Sequence, residues 1–189
     1  MRPIPLLLLA ACCFLPSLAA ATLFERSTPD LQAETRAAAA EGKGLALFLT
    51  LPDCPGCREM ERTVFNEKSL NAAVDRQFRH LRLEINGETP LTEPGGKTST
   101  PAAFAQRLRA VATPAFAFFD ARGQLLYRHT GALDARGFGQ LLDFVERGEY
   151  ERQPFVLKPG GGRTGSPPPH AGHLAPQPHK GTASVRHHP

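Results

Sequence analysis

The sequence has no basic surplus where a folded domain would need one. Its 189 residues carry a formal charge of +4. Arg2, Lys158, Arg163, Lys180 and Arg186, all near the ends, account for that excess. Residues 22–156 hold 17 Lys and Arg against 18 Asp and Glu. A nucleic-acid groove needs basic side chains clustered on one folded face, so that class is excluded. Cysteine is also scarce, with four in all, at 12, 13, 54 and 57. There is no paired-carboxylate site, no glycine-rich phosphate loop and no Ser–His–Asp arrangement. His80 and His129 stand alone on expected strands, which suits structural rather than catalytic histidines.

What is present is enough for one ordinary domain with tails: apolar residues make up 41% and charged residues 21%. Met1-Arg2-Pro3, an apolar run from Ile4 to Leu15 and the small residues Ala19 to Ala21 match a secretory signal. The run is too short to span a bilayer comfortably. Residues 1–21 are expected to be removed. Leu9-Ala10-Ala11-Cys12 also resembles a lipoprotein box, but the chain stays apolar after Cys12 where a polar tether is expected. At the other end, residues 157–189 carry Gly160-Gly161-Gly162, Pro167-Pro168-Pro169 and five of the seven histidines. Such a segment buries too little to offset the entropy of ordering it, so a disordered tail is expected. His170, His173, His179, His187 and His188 offer weak sites for copper, nickel or zinc.

Cleavage of the signal leaves only Cys54 and Cys57, in Asp53-Cys54-Pro55-Gly56-Cys57. Two cysteines make no disulfide framework and cannot complete a four-ligand zinc site unaided. In an exported chain, a single C-x-x-C points first to thiol–disulfide chemistry. Pro-Gly between the cysteines favours a tight turn entering a helix.

The periodicity places the pair. Thr28-Pro29 reads as a helix cap followed by proline at the first helical position, with the alanines to Ala40 behind it and Gly42 at the end. Leu45–Leu51 is a continuous apolar run, as in a strand buried on both faces. Arg58–Val64 and a stretch from Asn66, with Leu70, Ala73 and Val74 on one side, read as helices. Phe78–Ile85 alternates as a strand, and Asn86–Ser99 reads as a loop insertion. Thr100-Pro101 repeats the cap signature ahead of Phe104, Leu108 and Val111. Ala115–Phe119 is a buried strand, Asp120–Gly123 a hairpin turn and Gln124–His129 its return. Asp134 caps a last helix bearing Phe138, Leu141, Leu142 and Val145, which ends at Gly148. This order makes an α/β domain over residues 22–156, a mixed central sheet with helices on both faces. The cysteines fall where the first strand ends and a helix begins, the edge at which open α/β sheets place their sites.

Leu45-Ala46-Leu47-Phe48 leading to Cys54-Pro55-Gly56-Cys57, then Thr113-Pro114 before Ala115–Asp120, resembles the thioredoxin fold. Closest are exported bacterial thioredoxin-like proteins of the SoxW type, which share the insertion and an ending like Gly148–Phe155. The resemblance implies a periplasmic thiol:disulfide oxidoreductase working through the Cys54–Cys57 pair without a further cofactor. It implies a cis Thr113–Pro114 bond beside the cysteines, with Pro55, Gly56, Thr113 and Pro114 meeting the substrate chain. Partners would be client proteins with disulfides and an inner-membrane thiol donor, with the protein itself a monomer. Three departures stand out. The spacer is Pro-Gly rather than Gly-Pro. Asp53 replaces a tryptophan, and Phe48 replaces the family's buried aspartate. Glu84 and Glu59 are candidate substitutes for that acid, though both positions suit solvated carboxylates. At a helix start, the Cys54 thiolate is expected to be stabilised and Cys57 shielded. Other readings are a dithiol oxidase and a copper carrier using the pair and the tail histidines.

Overall fold

The computed structural model describes residues 22–110 and 112–159. The expected signal segment with Cys12, the tail from Gly160 onward and Val111 lie outside the described residues.

The element order is α1 (Leu31–Ala40), β1 (Gly44–Thr50), α2 (Pro55–Thr63), α3 (Lys68–Gln77), β2 (Phe78–Glu84), β3 (Leu91–Thr92), β4 (Thr98–Ser99), α4 (Pro101–Arg107), β5 (Ala115–Phe119), β6 (Leu125–Thr130) and α5 (Ala135–Glu146). A 3-10 turn follows at Glu149–Glu151. The main sheet has the order β2-β1-β5-β6. β1 runs parallel to β2 and antiparallel to β5, and β6 returns antiparallel to β5. The sheet is therefore mixed, as expected, and β1 lies inside it.

Because side chains alternate across a strand, β1 feeds two cores. Leu45, Leu47 and Leu49 face Leu31 of α1 and Phe104 of α4, while Ala46 and Phe48 face Met60 of α2, Val74 of α3 and Phe138 of α5. Helices thus cover both faces. Gly44 opens β1 where no side chain fits: a Cβ there would lie 2.3 Å from the Phe119 carbonyl oxygen.

Two expectations need correction. The cap of α1 is Asp30, whose carboxylate accepts the Ala33 N–H at 2.8 Å, and Thr28 instead accepts the Asp30 N–H at 3.2 Å. The carbonyl of Pro29 accepts the Thr92 N–H at 2.7 Å, and Asp30 forms a β-bridge with Thr92, so Pro29 stays outside the helix. The Asn86–Ser99 insertion is also not all loop, since β3 and β4 pair within it, antiparallel. Thr100 and Asp134 cap α4 and α5 as read, accepting the N–H groups of Ala103 and Gly137. Among the described residues no helix is long and apolar enough to cross a membrane.

Candidate functional site

β1 ends at Thr50, and Leu51-Pro52-Asp53 carries the chain to the start of α2. Cys54 is the N-cap residue, in extended conformation, and Pro55 takes the first helical turn. Proline suits that position because its φ is already helical and its missing N–H has no partner to lose. The Cys54 Sγ accepts the Cys57 N–H at 3.2 Å. A helix start leaves N–H groups unpaired and carries the positive end of the helix dipole. Sulfur bearing negative charge is stabilised there. The two cysteines form a disulfide, with S–S 2.12 Å and Cα–Cα 5.2 Å. Cys54 is 5% exposed and Cys57 1%, so the inner sulfur is the more sealed of the two.

Thr113–Pro114 is cis. It brings Pro114 against the active turn: a Cβ on Gly56 would lie 3.1 Å from Pro114 Cδ and 3.4 Å from Ala132 Cβ. Pro55, Gly56, Thr113 and Pro114 therefore gather at one place with the cysteines. Pro55 is exposed, Gly56 and Thr113 are partly so, and Pro114 is buried.

A third wall was not legible in the sequence. Gly131, Ala132 and Leu133 link β6 to α5 and close the site opposite α2. The Gly131 N–H donates to the Pro114 carbonyl at 2.9 Å, and the Leu133 N–H points at Met60 Sδ at 3.5 Å. Gly131 has φ +118°, which a side chain would strain. The only signal was a glycine shortly before a cap residue, which marks a turn but not its neighbours.

Beneath the disulfide the walls are apolar. Phe48, in the place of an acid, is fully buried and meets Phe65 edge-on at 4.9 Å and Phe116 at 5.3 Å. The Arg82 guanidinium lies 5.8 Å from that ring's centroid and is paired with Glu61 at 2.8 Å. Both candidate substitutes lie at the surface. Glu59 is exposed and paired with Arg62 at 2.8 Å, and Glu84 is exposed at the end of β2.

The two strand histidines are engaged structurally. His80 Nδ1 accepts the Phe24 N–H at 2.9 Å, which leaves Nε2–H to donate to Asp75 at 3.1 Å. Burial holds its pKa below the ordinary histidine range, against the opposing pull of Asp75. His129 on β6 is lowered by burial too, with its ring edge-on to Phe155 at 5.5 Å. Among the described residues no three His, Cys, Asp or Glu side chains converge to hold a metal ion.

Solved structures of similar fold include a thioredoxin-fold protein from Helicobacter pylori, at 18% identity and TM-score 0.52, covering 61% of this chain and 76% of that one. A thioredoxin from Thermus thermophilus matches at 18% and 0.52, covering 66% and 88%. A putative disulphide-isomerase from Bacteroides thetaiotaomicron matches at 21% and 0.51, covering 70% and 100%. None of the curated proteins matches the sequence. The family model describing a thioredoxin-like domain matches residues 31–146, more than half of the chain, and the protein belongs to that thioredoxin-like family.

Proposed function

We propose that the protein is a periplasmic thiol:disulfide oxidoreductase that reduces disulfides in client proteins. The observation that carries this is the placement of Cys54 as the cap of α2, bonded to a more deeply buried Cys57 at the next turn. In the reduced state the Cys54 thiolate attacks a client disulfide. A Cys54–client S–S bond forms, the client S–S bond breaks, and one client sulfur leaves as a thiolate. Cys57, once deprotonated, attacks Cys54 Sγ, and the Cys54–Cys57 bond forms as the second client sulfur departs. Two electrons pass to the client, and its thiolates take up protons from solvent. The two sulfurs need no further cofactor. A membrane-bound dithiol donor recharges the pair by the reverse exchange, and the amino-terminal signal-like segment supports export. The wall of Pro55, Gly56, Thr113, Pro114 and Ala132 offers no long side chain. It suits an extended client segment docking by its backbone against Thr113.

The dithiol variants give the test. Cys54→Ser abolishes disulfide reduction, and Cys57→Ser accumulates mixed disulfides visible on non-reducing gels. Full activity in Cys54→Ser removes the mechanism. The measured potential sets direction: a value near about −270 mV marks a reductant and one near about −120 mV an oxidant.

A further inference from the structure

The turn Gly131–Leu133, which closes the site opposite α2, is held from two directions. Ala132 is exposed, and its Cβ lies 3.4 Å from where one on Gly56 would stand, while Leu133 is buried. The Gly131 N–H donates to the Pro114 carbonyl at 2.9 Å, which ties the turn to the start of β5. The Leu133 N–H donates to Met60 Sδ at 3.5 Å, across 73 residues of sequence, which ties it to α2. Asp134 follows at once and caps α5, accepting the Gly137 N–H at 2.7 Å. Gly131, at φ +118°, adds little conformational preference of its own. The placement of Ala132 beside the active turn is therefore set by these ties.

Met60 stands one helical turn beyond Cys57, and both are 1% exposed. Volume alone does not ask for methionine there. Leucine fills a buried helix position with less side-chain freedom to lose, but it has no lone pair. Among the described residues the rest of the buried apolar core is Leu, Phe, Ala, Val and the two cysteines. The whole sequence holds only two methionines, Met1 and Met60. A thioether is a weak acceptor, yet a buried N–H with no acceptor at all is costlier than one weakly paired. The one methionine of the domain thus sits where an orphan amide of the site wall needs a partner.

We propose that Met60 is a positioning residue for the Cys54–Cys57 site, acting through its sulfur lone pair as well as its bulk. Sδ holds the Leu133 N–H, the turn keeps Ala132 against Gly56, and the client segment docks beside both. The consequence for docking rests on the oxidoreductase reading; the position of the turn does not. Met60 makes and breaks no bond in the exchange, which stays with the cysteine sulfurs. Its effect therefore falls on docking rather than on the exchange step.

Norleucine has the shape of methionine with a methylene in place of the sulfur, so it separates lone pair from volume. Made in a methionine auxotroph fed norleucine or selenomethionine, the full chain changes at Met1 and Met60 alone. With norleucine, amide hydrogen exchange at Leu133 should quicken about fivefold, because its acceptor is gone. The Gly56 amide resonance should shift as the wall moves. With oxidised insulin as the disulfide probe and dithiothreitol as the electron source, KM should rise about threefold at nearly constant kcat, as for a displaced docking surface. Selenomethionine keeps an acceptor and should leave all three readouts at their wild-type values. Met60→Leu should follow norleucine and serves if the norleucine protein does not fold. Wild-type Leu133 exchange in the norleucine protein overturns the proposal, and so does faster exchange with an unmoved Gly56 resonance or an unchanged KM. Selenomethionine behaving like norleucine overturns it too. If the wild-type chain reduces no insulin, the oxidoreductase reading fails alone, and Leu133 exchange with the Gly56 resonance still decides the role of Met60.

Discussion

The two faces of the sheet are built from different material. On one side β1 presents Leu45, Leu47 and Leu49 to aliphatic neighbours, including Leu31, Leu81 and Leu83. On the other it presents Ala46 and Phe48 to a cluster of rings, with Phe24, Phe65 and Phe116 around Phe48 and Phe138 against Phe116. Both cysteines belong to the ring-filled side. The aliphatic side is a structural core alone. The aromatic side is at once a core and the floor of the site, so changes there should reach the sulfurs.

Paired truncations break or sharpen that contrast. Phe48→Ala should cost about 3–5 kcal/mol in a denaturant titration, through lost burial and the cavity left behind. It should also change the alkylation rate of reduced Cys54 several-fold. Leu47→Ala, one residue away on the opposite face, should cost about 2–5 kcal/mol and leave that rate unchanged. Equal effects on the rate from both variants would show that the faces are not functionally distinct.

The aromatic side also carries a pH dependence. His80 caps the N–H of Phe24, a ring at the centre of the cluster. Its folded-state pKa is depressed by burial, and that of His129 shifts the same way. The unfolded chain therefore takes up protons first as pH falls below about 6.5. The stability these neutral rings contribute is complete above that pH and is lost as pH falls toward the lower folded values. Melting temperatures between pH 7.5 and pH 5 should show the decline. His80→Phe should flatten the profile, while costing about 1–3 kcal/mol at neutral pH because the buried Phe24 N–H loses its acceptor.

The smallest effect is expected at Glu59. Its pair with Arg62 lies in solvent, so Glu59→Gln should change stability by less than about 0.5 kcal/mol. Disulfide reduction should be unaffected. A large fall in the rate with stability intact would instead assign Glu59 a part in moving the Cys57 proton.

Much of this was legible because local chemistry and burial agree. The caps Thr100 and Asp134, the apolar runs of β1 and β5 and the glycine of the Asp120–Gly123 turn all follow rules that operate over a few residues. The α1 cap was misplaced because Thr28 and Asp30 are both good caps. The choice between them came from Thr92, more than sixty residues away. β3 and β4 were missed because strands of two residues carry no periodicity to read. The Gly131–Leu133 wall was missed for a related reason: nothing in a short turn reports which distant loop it will face.

The amino-acid sequence by itself determined the alternation that sorts β1 between two cores, the helix start at Cys54 and the nearness of two sulfurs three residues apart. These are properties of backbone geometry and side-chain polarity within one or two turns. Only the tertiary structure decided that Pro114 and Ala132 meet at Gly56, that Asp30 rather than Thr28 begins α1, and that Phe155 returns to His129. Such contacts join segments far apart in the chain, and their partners are chosen by which surfaces remain to be buried once the sheet has formed.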